Sequence, residues 1–356
     1  MVSGRLRLGG KVMKKVSKAS QKAKKKGERL GKHLILLCLK YPLLGNSRYA
    51  HSLLLEKWSW RVAALRGVLA EAEPDIVISL LSITNMITVT ASRGLNHRLV
   101  ISERNDPTRQ KLEMPWRRLR PILYPAADVI CANTVDALNA MRAFCPETKL
   151  QYVPNPLIFP KNTADCHKSN NIVYLGRLVH QKAPDVLVEA FAEFAEAVPG
   201  WGLHIAGDGP MFAQVKQRVG ELKIEHRVVM HGFVRDPSFL LAQCAIFVLP
   251  SRFEGTPNAL LEAMAHGTTC VVSDASPGPL DLIEHEISGL VVKAGCAQSL
   301  ALAFTRLARD GALRLRLGLA AVARVEEFRL ERVAPVWERM FDAPADQTSG
   351  QQHGLG

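Results

Sequence analysis

The run Ala245-Ile-Phe-Val-Leu-Pro-Ser-Arg-Phe-Glu-Gly-Thr-Pro-Asn-Ala-Leu-Leu-Glu-Ala-Met-Ala-His-Gly267 decides the fold. Its uninterrupted apolar start, Ala245–Leu249, predicts a strand buried on both faces. Pro257 at a first helical position and Gly267 beyond the end bracket a helix over Pro257–Ala265. Glu254, Gly255 and Thr256 then fall at the carboxyl edge of a parallel sheet, where open α/β sheets bind ligands. Free N–H groups at the helix start, with Gly255 allowing close backbone approach, make an anion site. Glu262 sits more than one turn inside the helix, between Leu261 and Ala263. A carboxylate there wants hydrogen-bond donors, which a pair of ligand hydroxyls would supply. The plainer alternative is an exposed helix glutamate and a loop charge.

Working outward, short β-branched runs alternate with amphipathic stretches from residue 33 onward. Strands are expected at His33–Leu39, Asp75–Leu81, Arg98–Ser102, Asp128–Cys131, Leu150–Val153, Asn171–Leu175, Gly202–Ala206, Arg227–His231, Thr269–Ser273 and Gly289–Val292, besides the one above. Helical periods fall between most of them, as at Glu56–Ala72, Thr134–Phe144 and Pro184–Val198. Such alternation indicates doubly wound parallel α/β sheets. Prolines and polar residues from Pro154 to Lys168 break the pattern, so the chain divides into a basic tail (1–32), a first Rossmann-like domain (33–155), a second (156–325) and a C-terminal helix and tail (326–356).

Composition agrees with a folded body. The 356 residues are 47% hydrophobic, enough to fill two cores. Seven scattered cysteines form no CxxC pair, which argues against a disulfide framework or zinc site and for a reducing, cytoplasmic setting. No apolar run reaches the ~18 residues of a membrane span. Residues 1–32 hold nine lysines, three arginines and one glutamate, so +11 of the net charge of +13 lies there. That segment reads as a disordered tail; it suits an anionic membrane surface better than nucleic acid, since no aromatic residue interleaves its lysines.

The second half offers further strand-edge loops. After Asn171–Leu175 come Gly176-Arg177 and, five residues beyond the arginine, Lys182. An arginine fork and a flexible ammonium suit two phosphates, although a surface pair of cations is the alternative. Gly207-Asp208-Gly209-Pro210 ends the next strand, and Ser276-Pro-Gly-Pro279 heads a later helix; by themselves both are strand-to-helix turns.

Together, Gly176-Arg-Leu-x3-Lys182, the Gly207-Asp-Gly-Pro210 turn and Glu254-Gly-x-Pro-Asn-x-Leu-Leu-Glu-Ala-Met-Ala-x-Gly267 resemble retaining glycosyltransferases of family 4, of the two-domain GT-B type. The likeness runs from about Leu65 to Glu338 and includes Pro74–Ser79, Leu123–Asp128, Val153–Pro156 and Ser102-Glu-Arg-Asn105, a form similar to the branch that builds bacterial surface glycans. The resemblance implies two Rossmann-like domains facing a cleft. It implies a UDP-sugar donor and a glycan or lipid-linked acceptor. Arg177 and Lys182 would grip the diphosphate, and Glu262 the ribose. Glu254 would hold the donor sugar, and the backbone of Gly255, Thr256, Pro257 and Asn258, with Gly176 and Gly207, would complete the donor site. No cofactor is implied, and with no Asp-x-Asp pair in the chain no metal is expected. Glu103, Arg104 and Asn105 are the acceptor-side candidates, with a Glu103–Arg104 ion pair as their structural alternative.

Before Leu65 the chain departs from the family. A basic tail stands where relatives place a first strand and a Gly-Gly loop, so the first domain is expected to be abbreviated. A nucleotide-sugar-binding remnant therefore stands beside the enzyme as a second reading. A GT-B epimerase, acting without an acceptor, is a minor third.

Overall fold

The computed structural model describes residues 34–37, 50–104, 107, 110, 112–160 and 169–342, with the backbone alone at 34–37, 50–57 and 341–342. The basic segment 1–32 and Asn105 lie outside the described residues. The fold divides into two compact units, one closing at Val153 and taking in the stretch from Glu338, the other spanning Pro154–Trp337.

The first unit alternates strand and helix: β1 (Leu34–Leu37), α1 (Ala50–Ala72), β2 (Ile76–Leu80), α2 (Ser82–Ser92), β3 (Arg98–Glu103), α3 (Trp116–Leu123), β4 (Val129–Ala132), α4 (Val135–Arg142) and β5 (Leu150–Tyr152). All pairings are parallel and the spatial order follows the chain, β1-β2-β3-β4-β5. Val77, Leu99, Ile101 and Ile130 project from one face of this sheet into a core shared with Leu65 and Leu69 of α1 and with Met86 and Ile87 of α2. Among the described residues the order never reverses, so the unit shows one half of a doubly wound pattern and no switch point of its own.

The second unit contains β6 (Ser169–Leu175), α5 (Pro184–Ala197), β7 (Gly202–Ala206), α6 (Phe212–Glu221), β8 (Val228–Gly232), α7 (Ser238–Gln243), β9 (Cys244–Leu249), α8 (Asn258–Ala265), β10 (Thr269–Ser273), α9 (Pro277–Leu282), β11 (Leu290–Val292), α10 (Ala297–Arg309), α11 (Gly311–Val325) and the start of α12 (Leu330–Asp342). Its parallel strands run in the order β11-β10-β9-β6-β7-β8. The chain thus winds outward from β6 through β7 to β8, returns to the centre at β9, and winds the other way. That reversal puts the loops after β6 and β9 side by side.

Alternation along the central strand divides the core. Ile172 and Tyr174 face a cluster with Phe191, Phe194 and Phe304, while Val173 faces Phe247, Leu260 and Met264. α5 forms because Pro184 opens it and Leu187, Val188, Phe191, Phe194 and Ala195 fall on one stripe. The α8 start differs by one residue from expectation. Pro257 is the N-cap, with ψ of 112°, and the helix begins at Asn258. The Pro257 carbonyl still accepts the first helical bonds, from Leu260 and Leu261.

Phe304 is fully buried and meets Phe194 edge-on at 5.8 Å between ring centroids. Phe304→Ala is expected to lower the unfolding free energy by about 3–5 kcal/mol in a guanidinium titration, through lost burial and the cavity left behind. A loss below about 1 kcal/mol would mean that the cluster collapses around the gap.

Candidate functional site

The loops after β6 and β9 are laced together by main-chain and side-chain bonds. The Gln181 side chain donates to the Phe253 carbonyl at 3.0 Å, and the Arg252 N–H donates to the Gln181 carbonyl at 2.8 Å. The Arg252 guanidinium forks onto Asp185 at 2.7 and 3.1 Å and also reaches the His180 carbonyl at 2.7 Å. Burial works against the charge on Asp185, but the bonds and charge of Arg252 prevail and hold its carboxyl below the usual range.

This lacing presents Lys182 to Glu254. The ammonium lies 2.5 Å from Oε1 of Glu254, with the two side chains only 16% and 8% exposed, so the pair is shielded from water. The Ser251 hydroxyl donates to the same oxygen at 2.6 Å, and the Glu254 N–H donates to the Ser276 hydroxyl at 2.8 Å. Oε2 of Glu254 takes no hydrogen bond among the described residues. Arg177, one turn of loop earlier, is exposed and its guanidinium likewise has no hydrogen-bond partner there.

Close backbone contact fixes both loops from behind. A Cβ at Gly207, whose φ is 148°, would lie 1.8 Å from the Gly176 carbonyl oxygen. A Cβ at Gly278 would lie 2.0 Å from that of Gly255. Gly207 and Gly278 are therefore packing glycines: each lets a neighbouring turn press on a site loop. Gly176 itself donates its N–H to Ala206 at the strand end.

At the start of α8 the first helical bonds come from Leu260 and Leu261, leaving the Asn258 and Ala259 N–H groups without an intrahelical acceptor. Asn155 braces this end, donating to the Thr256 carbonyl at 3.3 Å and to the Asn258 side chain at 2.6 Å. One turn into the helix, Glu262 borders a cavity of about 550 Å³ lined also by Leu157, Phe159, Asp236, Asn258 and His266. Its carboxylate takes no hydrogen bond among the described residues. Burial, and secondarily the charge of Asp236, push its pKa up.

The structure therefore brings Gly176, Arg177, Lys182, Gly207, Glu254, Gly255, Thr256, Pro257, Asn258 and Glu262 to one edge of one sheet. Ser251, Arg252, Asp185 and Asn155 were not singled out from the sequence. Ser251 had a legible signal, being a hydroxyl three residues before the acid it bonds.

The first unit treats its acid differently. Glu103 is fully buried, and its carboxylate accepts from the Tyr124 hydroxyl at 2.8 Å, from Ser82 at 2.9 and 3.0 Å, and from the Arg104 N–H at 3.1 Å. Asn85 in turn donates to the Tyr124 oxygen at 3.3 Å. Glu103 is thus a core anchor between α2, β3 and Tyr124 and lines no surface, which corrects the expectation that it faces an acceptor. The reason is that its strand end is roofed by Ser82 and Tyr124. Arg104 is largely shielded, and burial lowers its pKa. Among the described residues no helix is long and apolar enough to cross a membrane.

Residues 158–324 match the family model described as "Glycosyl transferases group 1". Over 284 residues, 78% of this chain and 77% of the other, the sequence is 29% identical to an α-1,4-N-acetyl-D-galactosaminyltransferase of Campylobacter jejuni, named for GalNAc-alpha-(1->4)-GalNAc-alpha-(1->3)-diNAcBac-PP-undecaprenol. It is 35% identical over 127 residues to a lipopolysaccharide 1,6-galactosyltransferase of Salmonella typhimurium, a match spanning 35% of each chain. Among solved structures, Anabaena HepE in complex with UDP-glucose superposes with a TM-score of 0.71 at 18% identity, over 87% of this chain and 100% of that one. Residues 158–324 thus match a glycosyltransferase family model, the fold is of the GT-B type, and the two relatives are named as an N-acetylgalactosaminyltransferase and a lipopolysaccharide galactosyltransferase.

Burial raises the pKa of Glu103, while the bonds from Tyr124 and Ser82 oppose the shift without cancelling it. A carboxyl whose folded pKa lies above its unfolded value stabilises the fold fully only below the unfolded pKa of about 4.3. That stability is lost as pH climbs through the raised folded value. Wild type is accordingly expected to lose stability relative to Glu103→Gln as pH rises above about 4.3, read from urea unfolding at a series of pH values. A stability difference that does not change with pH would place an ordinary carboxyl at this position.

Proposed function

We propose that the chain is a retaining glycosyltransferase of family 4. In this reading it transfers a hexose or N-acetylhexosamine from a UDP-sugar to a lipid-linked or polysaccharide acceptor in surface-glycan biosynthesis. One observation carries the proposal: at the β6/β9 switch point two cations and two carboxylates converge, and Arg177, Oε2 of Glu254 and the whole Glu262 carboxylate have no hydrogen-bond partner among the described residues. Such groups are arranged for a ligand that brings both anionic oxygens and hydroxyls.

A nucleotide sugar has those parts in order. Its diphosphate fits Arg177, Lys182 and the N–H groups of Asn258 and Ala259, which have no acceptor within the helix; all of these attract anions. A ribose diol fits Glu262, and the apolar Leu157 and Phe159 beside that carboxylate suit the base. The sugar hydroxyls fall to Oε2 of Glu254. Cleaving the sugar–phosphate bond puts negative charge on the departing diphosphate, where the cations and the helix start stabilise it without a metal ion. No protein nucleophile is assigned: the leaving phosphate helps to deprotonate the incoming hydroxyl on the same face of the sugar. The galactosyl and N-acetylgalactosaminyl transfers named for the relatives support this sugar class and this kind of acceptor.

Segment 1–32 would hold the enzyme at the inner face of the cell membrane, since each lysine near an anionic surface adds on the order of 1 kcal/mol. Sedimentation with phosphatidylglycerol vesicles is expected for the full chain at low salt and not for a chain lacking residues 1–32. Equal binding by both would remove this role from the segment.

The donor reading is tested by UDP calorimetry and by UDP release from UDP-galactose, UDP-N-acetylgalactosamine and UDP-N-acetylglucosamine. Glu254→Ala is expected to keep UDP binding and to lose about 100-fold or more in turnover. A wild-type chain that binds no UDP would refute the proposal, and binding without release from any donor would leave the remnant as the better account.

A further inference from the structure

Resting on the donor-site reading above, we infer that Ser251 is a positioning residue that holds Glu254 toward the donor sugar while Lys182 turns to the diphosphate. Both Lys182 Nζ and Ser251 Oγ contact Oε1 of Glu254, at 2.5 and 2.6 Å. The two donors differ in what else they can do. Lys182 carries three N–H groups on a flexible four-carbon stem, so an arriving phosphate can draw the ammonium away from the carboxylate. Ser251 has a single hydrogen, already committed to Oε1.

The serine is also the better fixed of the two. It lies just beyond the end of β9, is 1% exposed, and its carbonyl accepts from the hydroxyl of Ser273, the last residue of β10, at 2.5 Å. The Glu254 main chain is held independently through its N–H to Ser276. With backbone and Oε1 both anchored to the strand ends, the carboxylate plane is set and Oε2 keeps its direction when the ammonium leaves. Without the hydroxyl, Lys182 is the one remaining side-chain donor to this carboxylate among the described residues, and the acid follows the ammonium.

The prediction separates binding from turnover, because Ser251 is assigned no contact with the nucleotide. Ser251→Ala is expected to lower the rate of UDP release at saturating donor by roughly tenfold, the loss of one hydrogen bond to a charged group. KM and the calorimetric affinity for UDP should stay within about twofold of wild type. Ser251→Thr, which keeps the hydroxyl, should restore most of the rate; Ser251→Cys, similar in size with a weak donor, should behave like the alanine variant. In a Glu254→Ala background, Ser251→Ala should have no further effect, since the route runs through the carboxylate.

An alanine variant as fast as wild type, a threonine variant as slow as alanine, or a full additional loss on top of Glu254→Ala would each overturn the inference. If the alanine variant melts before assay, the threonine and cysteine pair gives the same decision. Wild-type failure to bind UDP would strike the donor-site reading instead and is visible before any variant is made.

Discussion

The site depends on a shielded ion pair between residues 72 positions apart in sequence, Lys182 and Glu254. Taking two charges out of water costs several kcal/mol for each, and the attraction between them compensates only when the geometry is good and further hydrogen bonds complete it. The winding of the second sheet supplies that geometry. Because β6 lies between β7 and β9, the loop that ends in Lys182 and the loop that contains Glu254 leave neighbouring strands at the same edge. Had the sheet followed chain order, as the first unit's sheet does, two strands, β7 and β8, would separate those loops. Gln181, Arg252 and Asp185 then set the spacing, and Ser251 and Ser276 fix the acid.

Reaching this arrangement restricts the turns behind it. The loops must lie against adjacent backbone with no side chain between, and at Gly207 and Gly278 an added Cβ would fall within 2.0 Å of a carbonyl oxygen. Because the contacting atoms are main chain, no rotamer change can relieve the clash. The Gly-Asp-Gly-Pro turn and the Pro-Gly-Pro segment therefore shape the site from outside it, by fixing where Gly176 and Gly255 run.

Much of the second unit was legible from periodicity. The strands Gly202–Ala206 and Thr269–Ser273 lie where their β-branched runs place them, and α5 begins at Pro184 as its ring constraint requires. Boundaries elsewhere moved by a residue or two. At α8 the proline ring suits the first helical turn, but ψ of 112° at Pro257 keeps it outside, as the N-cap. The spacing of Glu254 and Glu262 identified both acids, yet could not show that Lys182 and Ser251 share one oxygen, because side-chain partnership across strands is a property of sheet order. Arg252 looked like one surface cation among many; its fork onto Asp185 became visible only when α5 and the β9 loop were brought together.

Glu103 shows why residue type alone misleads. Glu103, Glu254 and Glu262 all belong to family-like motifs at or beyond strand ends, and all three are shielded to differing degrees. What separates them is unspent acceptor capacity. The Glu103 oxygens are occupied by two hydroxyls and a main-chain N–H, so that acid ties β3 to its neighbours. Among the described residues Glu254 has one oxygen claimed twice and the other unclaimed, and Glu262 has both unclaimed. A shielded carboxylate with unfilled lone pairs raises the free energy of the empty protein, and a ligand bringing hydroxyls relieves it. The same solvation physics that makes Glu103 a structural anchor therefore leaves the carboxylates of Glu254, before α8, and Glu262, within it, with acceptor capacity for a ligand.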